Sequence, residues 1–272
     1  MVEIIVFTYC MIENIYLTCG AFGMIYQMGT IKCLRKRVNL NNINFYGCSA
    51  GALTIVMMFL FTDDEILQFY QDIVKKALQN IQNNPFVLDS YCLTPKQFEA
   101  FEIINKHNPN AYQLLSGKIN IGVTRKDKFV WYNTFSSNQD LFHKLLCSFH
   151  VPILCSYTAT INGTKCVDGG IGMNPTKHLP KDTLIICPKY CEYAQLNGSI
   201  PVINCFIPPS NEIIEHYYNK GYRDMRKYLK KGKITERIQQ PVLDEMIIPQ
   251  SVWHFLRNFQ YEDKKYNVSI FG

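Results

Sequence analysis

The segment around Ser49 constrains the fold of this chain more than any other. Residues 43–46 suit a short buried strand, and the largely apolar run from Ala52 to Phe61 has the length of a buried helix. Between them, Gly47 and Gly51 flank the serine in the pattern G-x-S-x-G. Glycine permits the sharp turn and close packing of such a connection, so the sequence predicts a strand, a tight turn and a helix beginning at the serine.

This predicted turn makes Ser49 the candidate nucleophile. A serine on a strand-to-helix turn has an exposed hydroxyl, and the first N–H groups of the following helix point where an oxyanion would form. The five-residue pattern also arises by chance, but chance matches seldom have a strand before them and an apolar helix after them.

A second glycine-containing turn, residues 19–23, follows a predicted strand at 13–18 and precedes a predicted helix at about 24–37. Such a loop can present free N–H groups to an anion, although glycine turns are also ordinary connections between strands and helices. Combined with the serine turn on the next strand, it indicates two strands that end side by side. One would carry a nucleophile and the other an oxyanion hole.

The third candidate is Asp168, which ends a predicted strand and precedes Gly169 and Gly170. An Asp-Gly pair usually marks a turn. The remaining pattern predicts one α/β domain over residues 1–272, with a largely parallel sheet covered by helices. Further helices are expected at 62–82, from 94, at 139–149 and from 210, with a hairpin at 118–123 and 129–135 and strands at 183–187 and 200–207.

Composition narrows the class of protein. Hydrophobic residues make up 47% and charged residues 18%, which is typical of a globular chain, and the formal net charge of +6 comes without a nucleic-acid-binding motif. The 11 cysteines include no C-x-x-C pair, which favours reduced thiols and disfavours a zinc site. With no basic leader and no membrane-length apolar run, we expect a cytoplasmic protein, with a peripheral membrane affinity left open.

Taken together, these segments resemble the patatin-like phospholipase family of lipid acyl hydrolases. The resemblance spans about residues 15–229 and leaves a C-terminal extension of about 230–272. Its main blocks are the glycine turn and helix start at 19–29, the serine turn at 47–51 and V-D-G-G at 167–170, and the segments 146–152 and 221–224 also match.

The resemblance implies a Ser–Asp dyad without histidine. Ser49 is the nucleophile and Asp168 the general base, and the N–H groups of Gly20 and Ala21 match the family's oxyanion hole. The implied reaction is cleavage of carboxylic esters in phospholipids or acylglycerols, of the phospholipase A or acylglycerol lipase type. It proceeds through an acyl-enzyme and needs no metal or cofactor. The glycines that the motifs require are Gly47, Gly51, Gly169 and Gly170.

The glycine turn departs from the family pattern G-G-G-x-[RK]-G. Residues 19–24 occupy these positions, so Gly23 stands where the family has a cation, and Ala21 must accommodate a Cβ. The missing cation weakens the case for contact with a phosphate head group. Because neutral-lipid lipases of the family also lack this cation, neutral acylglycerols become credible substrates.

Two alternatives remain open at this stage. An α/β-hydrolase with a Ser-Asp-His triad would use His216 or His254, but that fold has several strands before its serine turn, and only about one fits before residue 44. A catalytically inactive lipid-binding protein of the same fold is the other alternative. Retention of both Ser49 and Asp168 argues against it.

The predicted helix from Ser210 carries a basic cluster. The simplest interpretation is that an apolar stripe packs on the domain and the charges are solvated. The alternative is that the charges bind an anionic membrane or a lipid-droplet surface. The basic cluster consists of Arg223, Arg226, Lys227, Lys230 and Lys231, with Lys233 and Arg237 beyond it.

Overall fold

A computed structural model describes residues 12–83, 94–126, 128–152, 155, 157–171 and 174–231. Within these ranges, eight strands form one sheet in the order β5-β6-β3-β2-β1-β7-β8, with β4 also paired to β3. The strands are β1 (Asn14–Leu17), β2 (Asn44–Cys48), β3 (Ile119–Arg125), β4 (Lys128–Tyr132), β5 (Thr160–Ile161), β6 (Thr164–Asp168), β7 (Leu184–Lys189) and β8 (Leu196–Ile200).

The centre of the sheet is parallel. β1 pairs in parallel with β2 and β7, β2 with β3, and β7 with β8, whereas β4 and β6 run antiparallel to β3. Parallel central strands are covered on both faces, and their burial agrees: every residue of β1 and β7 is buried. The carboxyl ends of β2, β1 and β7 therefore meet at one edge of the sheet.

Helices flank this sheet, so the predicted α/β class is confirmed. They are α1 (Met24–Arg35), α2 (Ala50–Leu60), α3 (Asp63–Asn83), α4 (Thr94–His107), α5 (Ala111–Leu115), α6 (Asn138–Phe149), α7 (Val202–Phe206) and α8 (Asn211–Lys231). The helix α3 begins as its sequence predicts, because Thr62 and Glu65 form reciprocal capping bonds.

The helices α1 and α8 pack closely because glycines line their contact. A Cβ on Gly29 would lie 2.0 Å from the carbonyl oxygen of Tyr218, and one on Gly221 would lie 2.1 Å from that of Tyr26. On α8, Ile214, Tyr218 and Met225 are buried. The interpretation of α8 as a helix that packs through an apolar stripe is thus confirmed.

The predicted strand at 200–207 is wrong. β8 ends at Ile200, and residues 202–206 form the short helix α7. A five-residue apolar run cannot be assigned to strand or helix by periodicity alone. Pro201, with φ −55°, precedes the helix at a position where its missing N–H costs no hydrogen bond.

The C-terminal extension from residue 232, including Lys233, Arg237 and His254, lies outside the described residues. Among the helices in the described part of the chain, none has both the length and the apolar character needed to cross a membrane.

Candidate active site

The candidate residues meet at the carboxyl edge of the parallel strands. Leu17 of β1 lies opposite Gly47 of β2 in the register, so the glycine turn after β1 and the serine turn after β2 are neighbours. On the other side of β2, Cys48 lies opposite Gly122 of β3, and Val123 pairs with Asp168 at the end of β6. The topology therefore brings together residues far apart in the chain.

Ser49 occupies a strained turn between β2 and α2. Its backbone angles are φ 54° and ψ −132°, which non-glycine residues seldom adopt. The flanking glycines are required by packing, because a Cβ on Gly51 would lie 2.2 Å from the carbonyl oxygen of Leu17 and one on Gly47 would lie 2.6 Å from Cα of Ala52. Ser49 is half-buried.

Asp168 is buried at the end of β6, with 3% of its surface exposed. The N–H of Gly170 donates to Oδ1 at 2.7 Å, and the N–H of Asp168 donates to the carbonyl oxygen of His150, also at 2.7 Å. Burial raises the pKa of the carboxyl from 3.8 to about 6. The Ser49 side chain, the Gly170 N–H and the positive charge of Lys189 all act in the opposite direction.

The two residues that the sequence singled out interact although they are 119 residues apart (168 − 49): the Ser49 side chain lowers the pKa of the Asp168 carboxyl. The two glycines after Asp168 allow this approach: a Cβ on Gly169 would lie 2.2 Å from the carbonyl oxygen of Gly122, and one on Gly170 would lie 2.4 Å from Sγ of Cys19.

Sequence reasoning missed one residue that joins these segments. Ser148, at the end of α6, is fully buried; its hydroxyl accepts from the N–H of Ser49 at 2.9 Å and donates to the carbonyl oxygen of Gly122 at 2.7 Å. Its own carbonyl oxygen accepts from the N–H of Gly169 at 3.3 Å. The one sequence signal for Ser148 was that segment 146–152 resembles the family, but this resemblance gives Ser148 no role.

The glycine turn is a single turn of 3-10 helix, Ala21–Gly23, preceded by Gly20. Ala21 has φ 43°, so the turn accommodates its Cβ in the left-handed region. A Cβ on Gly20 would lie 2.2 Å from Cγ of Pro188, which fixes a glycine there. The hydroxyl of Tyr70 on α3 donates to the carbonyl oxygen of Phe22 at 2.6 Å and anchors the turn. The first N–H groups of such a helix have no partner within it.

No imidazole in the described part of the chain forms a hydrogen bond with Ser49 or Asp168. His216 is exposed on α8, where its ring lies edge-on to Tyr217 at 5.0 Å. His150 contacts Asp168 only through its backbone, and burial lowers the pKa of its side chain to about 4. Among the described histidines, the structure therefore offers none for a Ser-Asp-His triad.

The structure is therefore an α/β protein whose largely parallel sheet holds a serine turn, a glycine turn and a buried aspartate at the carboxyl ends of its strands. The model of the family described as patatin-like phospholipase matches residues 15–179, more than half of the 272 residues. The chain belongs to the patatin-like phospholipase family, as the resemblance predicted, and members of this family are lipid hydrolases or acyltransferases.

Curated relatives are distant. The chain is 24% identical to the mouse 1-acylglycerol-3-phosphate O-acyltransferase Pnpla3 (93% of this chain, 66% of that protein) and 25% identical to a human omega-hydroxyceramide transacylase (80% and 46%). It is 24% identical to the bovine patatin-like phospholipase domain-containing protein 2 (80% and 50%). The chain thus spans about half to two thirds of these relatives. The solved structure of VipD from Legionella pneumophila matches 81% of this chain and 67% of that one at 12% identity, with a TM-score of 0.44.

Proposed function

We propose that this protein is a serine lipid acyl hydrolase that cleaves carboxylic esters of phospholipids or acylglycerols through a Ser49–Asp168 dyad. The observation that carries the proposal is a half-buried serine in a strained turn whose side chain acts on the pKa of a buried carboxyl, which burial raises to about 6. Family membership supports a lipid as substrate.

In the acylation step, Oγ of Ser49 attacks the carbonyl carbon of the ester while the Asp168 carboxylate accepts the hydroxyl proton. The N–H groups of Gly20 and Ala21 donate to the oxyanion of the tetrahedral intermediate. The C–O bond then breaks, the alcohol leaves with the proton from Asp168, and an acyl-enzyme remains.

In the deacylation step, water takes the place of the alcohol. Asp168 accepts a proton from the water as it attacks the acyl carbon, and the proton returns to Ser49 when the free acid leaves. Burial makes Asp168 a better base than an exposed carboxyl, because a pKa of about 6 lies closer to neutral pH.

Acyl transfer is a second outcome for the same acyl-enzyme. If an alcohol on another lipid attacks in place of water, the product is a new ester. This outcome is favoured by two of the relatives, whose names are those of an O-acyltransferase and a transacylase. Product analysis with and without an alcohol acceptor separates the two outcomes, since hydrolysis releases free fatty acid.

A fluorophosphonate probe tests the proposal, since it reacts with an activated serine and not with an inert one. We expect the wild-type protein to be labelled and to hydrolyse a short soluble ester, and Ser49→Ala to do neither while remaining folded. Calcium or zinc chelators should leave both activities unchanged. Absence of labelling in the folded wild-type protein would favour the inactive lipid-binding alternative.

We further infer that the protein acts in the cytoplasm at a peripheral lipid surface, either a membrane or a lipid droplet. All five residues of the basic cluster are exposed on α8, which supports contact with anionic head groups. Nucleic acid is not an expected partner.

A further inference from the structure

A buried lysine with little to pair with lies beside the glycine turn. Lys189, the last residue of β7, has 8% of its surface exposed. Its ammonium donates to Sγ of Cys19 at 4.0 Å, and sulfur is a weak acceptor. Within the described ranges, Lys189 forms no ion pair with a carboxylate.

This arrangement is costly for a structural lysine. A buried charge without a close counter-ion loses hydration that a thiol contact replaces poorly. The pKa of Lys189 is nevertheless raised, first through its interaction with Cys19, whereas burial acts in the opposite direction. The side chain therefore holds an ammonium at neutral pH. The negative charge of Asp168 also raises its pKa, but no carboxylate in the described ranges lies close enough to form an ion pair with it.

The position of Lys189 relates this charge to the site. In the sheet, β1 lies between β2 and β7, so the glycine turn separates the serine turn from the end of β7. The glycine turn contacts the end of β7 directly, because Gly20 packs against Pro188. Cys19, which the ammonium contacts, is partly exposed. An ester held between Ser49 and the glycine turn could thus extend an anionic group over Cys19 to Lys189.

The glycine turn itself supplies no such charge, since residues 19–24 contain neither Lys nor Arg. We propose that Lys189 is a specificity-determining residue that binds the phosphate of a phosphorylated lipid substrate beside the glycine turn. The proposal rests on the proposed function of the same site and narrows its substrate from lipid esters in general to esters with an anionic phosphate.

Direct binding tests the anion site without any need for catalysis. Isothermal titration of the full chain with glycerol 3-phosphate should show binding to the wild-type protein and to Lys189→Arg, and at least tenfold weaker binding to Lys189→Met. Lys181→Met, an exposed lysine in the segment before β7, is the matched control and should bind like the wild type. Equal binding by Lys189→Met and wild type, or no binding by the wild type, overturns the proposal.

A substrate ratio distinguishes a lipid head group from free phosphate. Hydrolysis is measured on a monoacylglycerol and on its phosphorylated form, with the same acyl chain, in neutral detergent micelles at pH 8. The ratio of phosphorylated to neutral hydrolysis should fall at least tenfold in Lys189→Met and be restored in Lys189→Arg. An unchanged ratio, even with free phosphate bound, overturns the assignment to substrate recognition. Failure of the proposed function has a different signature: the folded wild type would neither hydrolyse substrate nor react with the fluorophosphonate.

Discussion

The two ends of α8 differ in chemistry and in their distance from the candidate site. Near its start, Ile213 and Tyr217 line a groove together with Phe22 and Gly23 of the glycine turn. Four large apolar side chains are exposed at this end: Val202, Phe206, Ile207 and Ile213. At the other end stands the basic cluster, all of it exposed.

The basic end lies beside the last turns of α1. Arg226 lowers the pKa of Cys33, and the Tyr222 side chain raises the pKa of Arg37. Since α1 begins at Met24, directly after the glycine turn, and rises 1.5 Å per residue, Cys33 is about 14 Å along the helix from that turn. The candidate catalytic residues and the basic cluster therefore lie in different regions of the molecule, so each can be substituted without changing the other.

Replacing Asp168 with Asn should have the largest effect, because it removes the base and keeps its shape. We expect the rate on a soluble ester to fall about a thousandfold. The protein should stay folded: a pKa of about 6 instead of 3.8 means that the buried carboxylate costs roughly 3 kcal/mol of stability above pH 6, which Asn relieves.

Asp224→Asn is the matched control for Asp168→Asn. Asp224 lies on α8, where it accepts hydrogen bonds from Tyr26 and Lys220. This variant should keep nearly full activity. Substantial activity in Asp168→Asn would refute the dyad, and a large loss in Asp224→Asn would break the separation between the two regions.

The pH profile of the wild type should show the raised pKa of Asp168. Below about pH 6 the carboxyl is protonated and cannot accept the proton of Ser49, so the rate should fall about tenfold per pH unit as the pH decreases. Above the pKa the rate should level off. The measurement is kcat/KM on a soluble ester, and a profile that stays flat down to pH 4.5 would contradict the assignment.

Ser148→Ala should have an intermediate effect. Removing the Ser148 hydroxyl leaves the N–H of Ser49 and the carbonyl oxygen of Gly122 without their hydrogen-bond partner. We expect the strained turn at Ser49 to shift, so kcat should fall roughly ten- to a hundredfold. Ser116→Ala is the matched control, because that hydroxyl also accepts from one N–H, that of Phe135, and donates to carbonyl oxygens, that of Tyr112 at 2.7 Å and that of Phe135 at 3.4 Å. Both variants should lose stability, Ser148→Ala more because Ser148 is fully buried and Ser116 only half-buried, but only Ser148→Ala should lose kcat.

Sequence reasoning predicted the local parts of the site, and the family resemblance paired Ser49 with Asp168, but the long-range contacts of Ser148 and Lys189 were missed. The serine turn was predictable because Gly47, Gly51 and the apolar run after them specify a strand-turn-helix within 20 residues. Ser148 contacts Ser49 across 99 residues, and Lys189 contacts Cys19 across 170, so only the topology of the sheet brings them together. The helix α7 was mistaken for a strand because a short apolar run carries no period.

The smallest effect on catalysis is expected at the basic end of α8, where charge should matter for binding and not for chemistry. Reversing Lys227, Lys230 and Lys231 to Glu removes six units of charge and takes the formal net charge from +6 to 0. Each basic residue near an anionic surface contributes on the order of 1 kcal/mol, so binding to phosphatidylserine vesicles should weaken at least about tenfold.

The matched control makes the same change of net charge outside the basic cluster, by reversing the exposed lysines Lys75, Lys165 and Lys181. If the basic cluster forms a membrane contact, this control should bind vesicles more tightly than the α8 variant. Binding by the wild type should also weaken as salt rises, since the Debye length at physiological ionic strength is about 8 Å. Hydrolysis of a soluble ester should be equal in all three proteins, because Ser49 and Asp168 are unchanged. Vesicle binding that is insensitive to salt and equal in both variants would show that the basic cluster is only solvated, and that lipid meets the protein elsewhere.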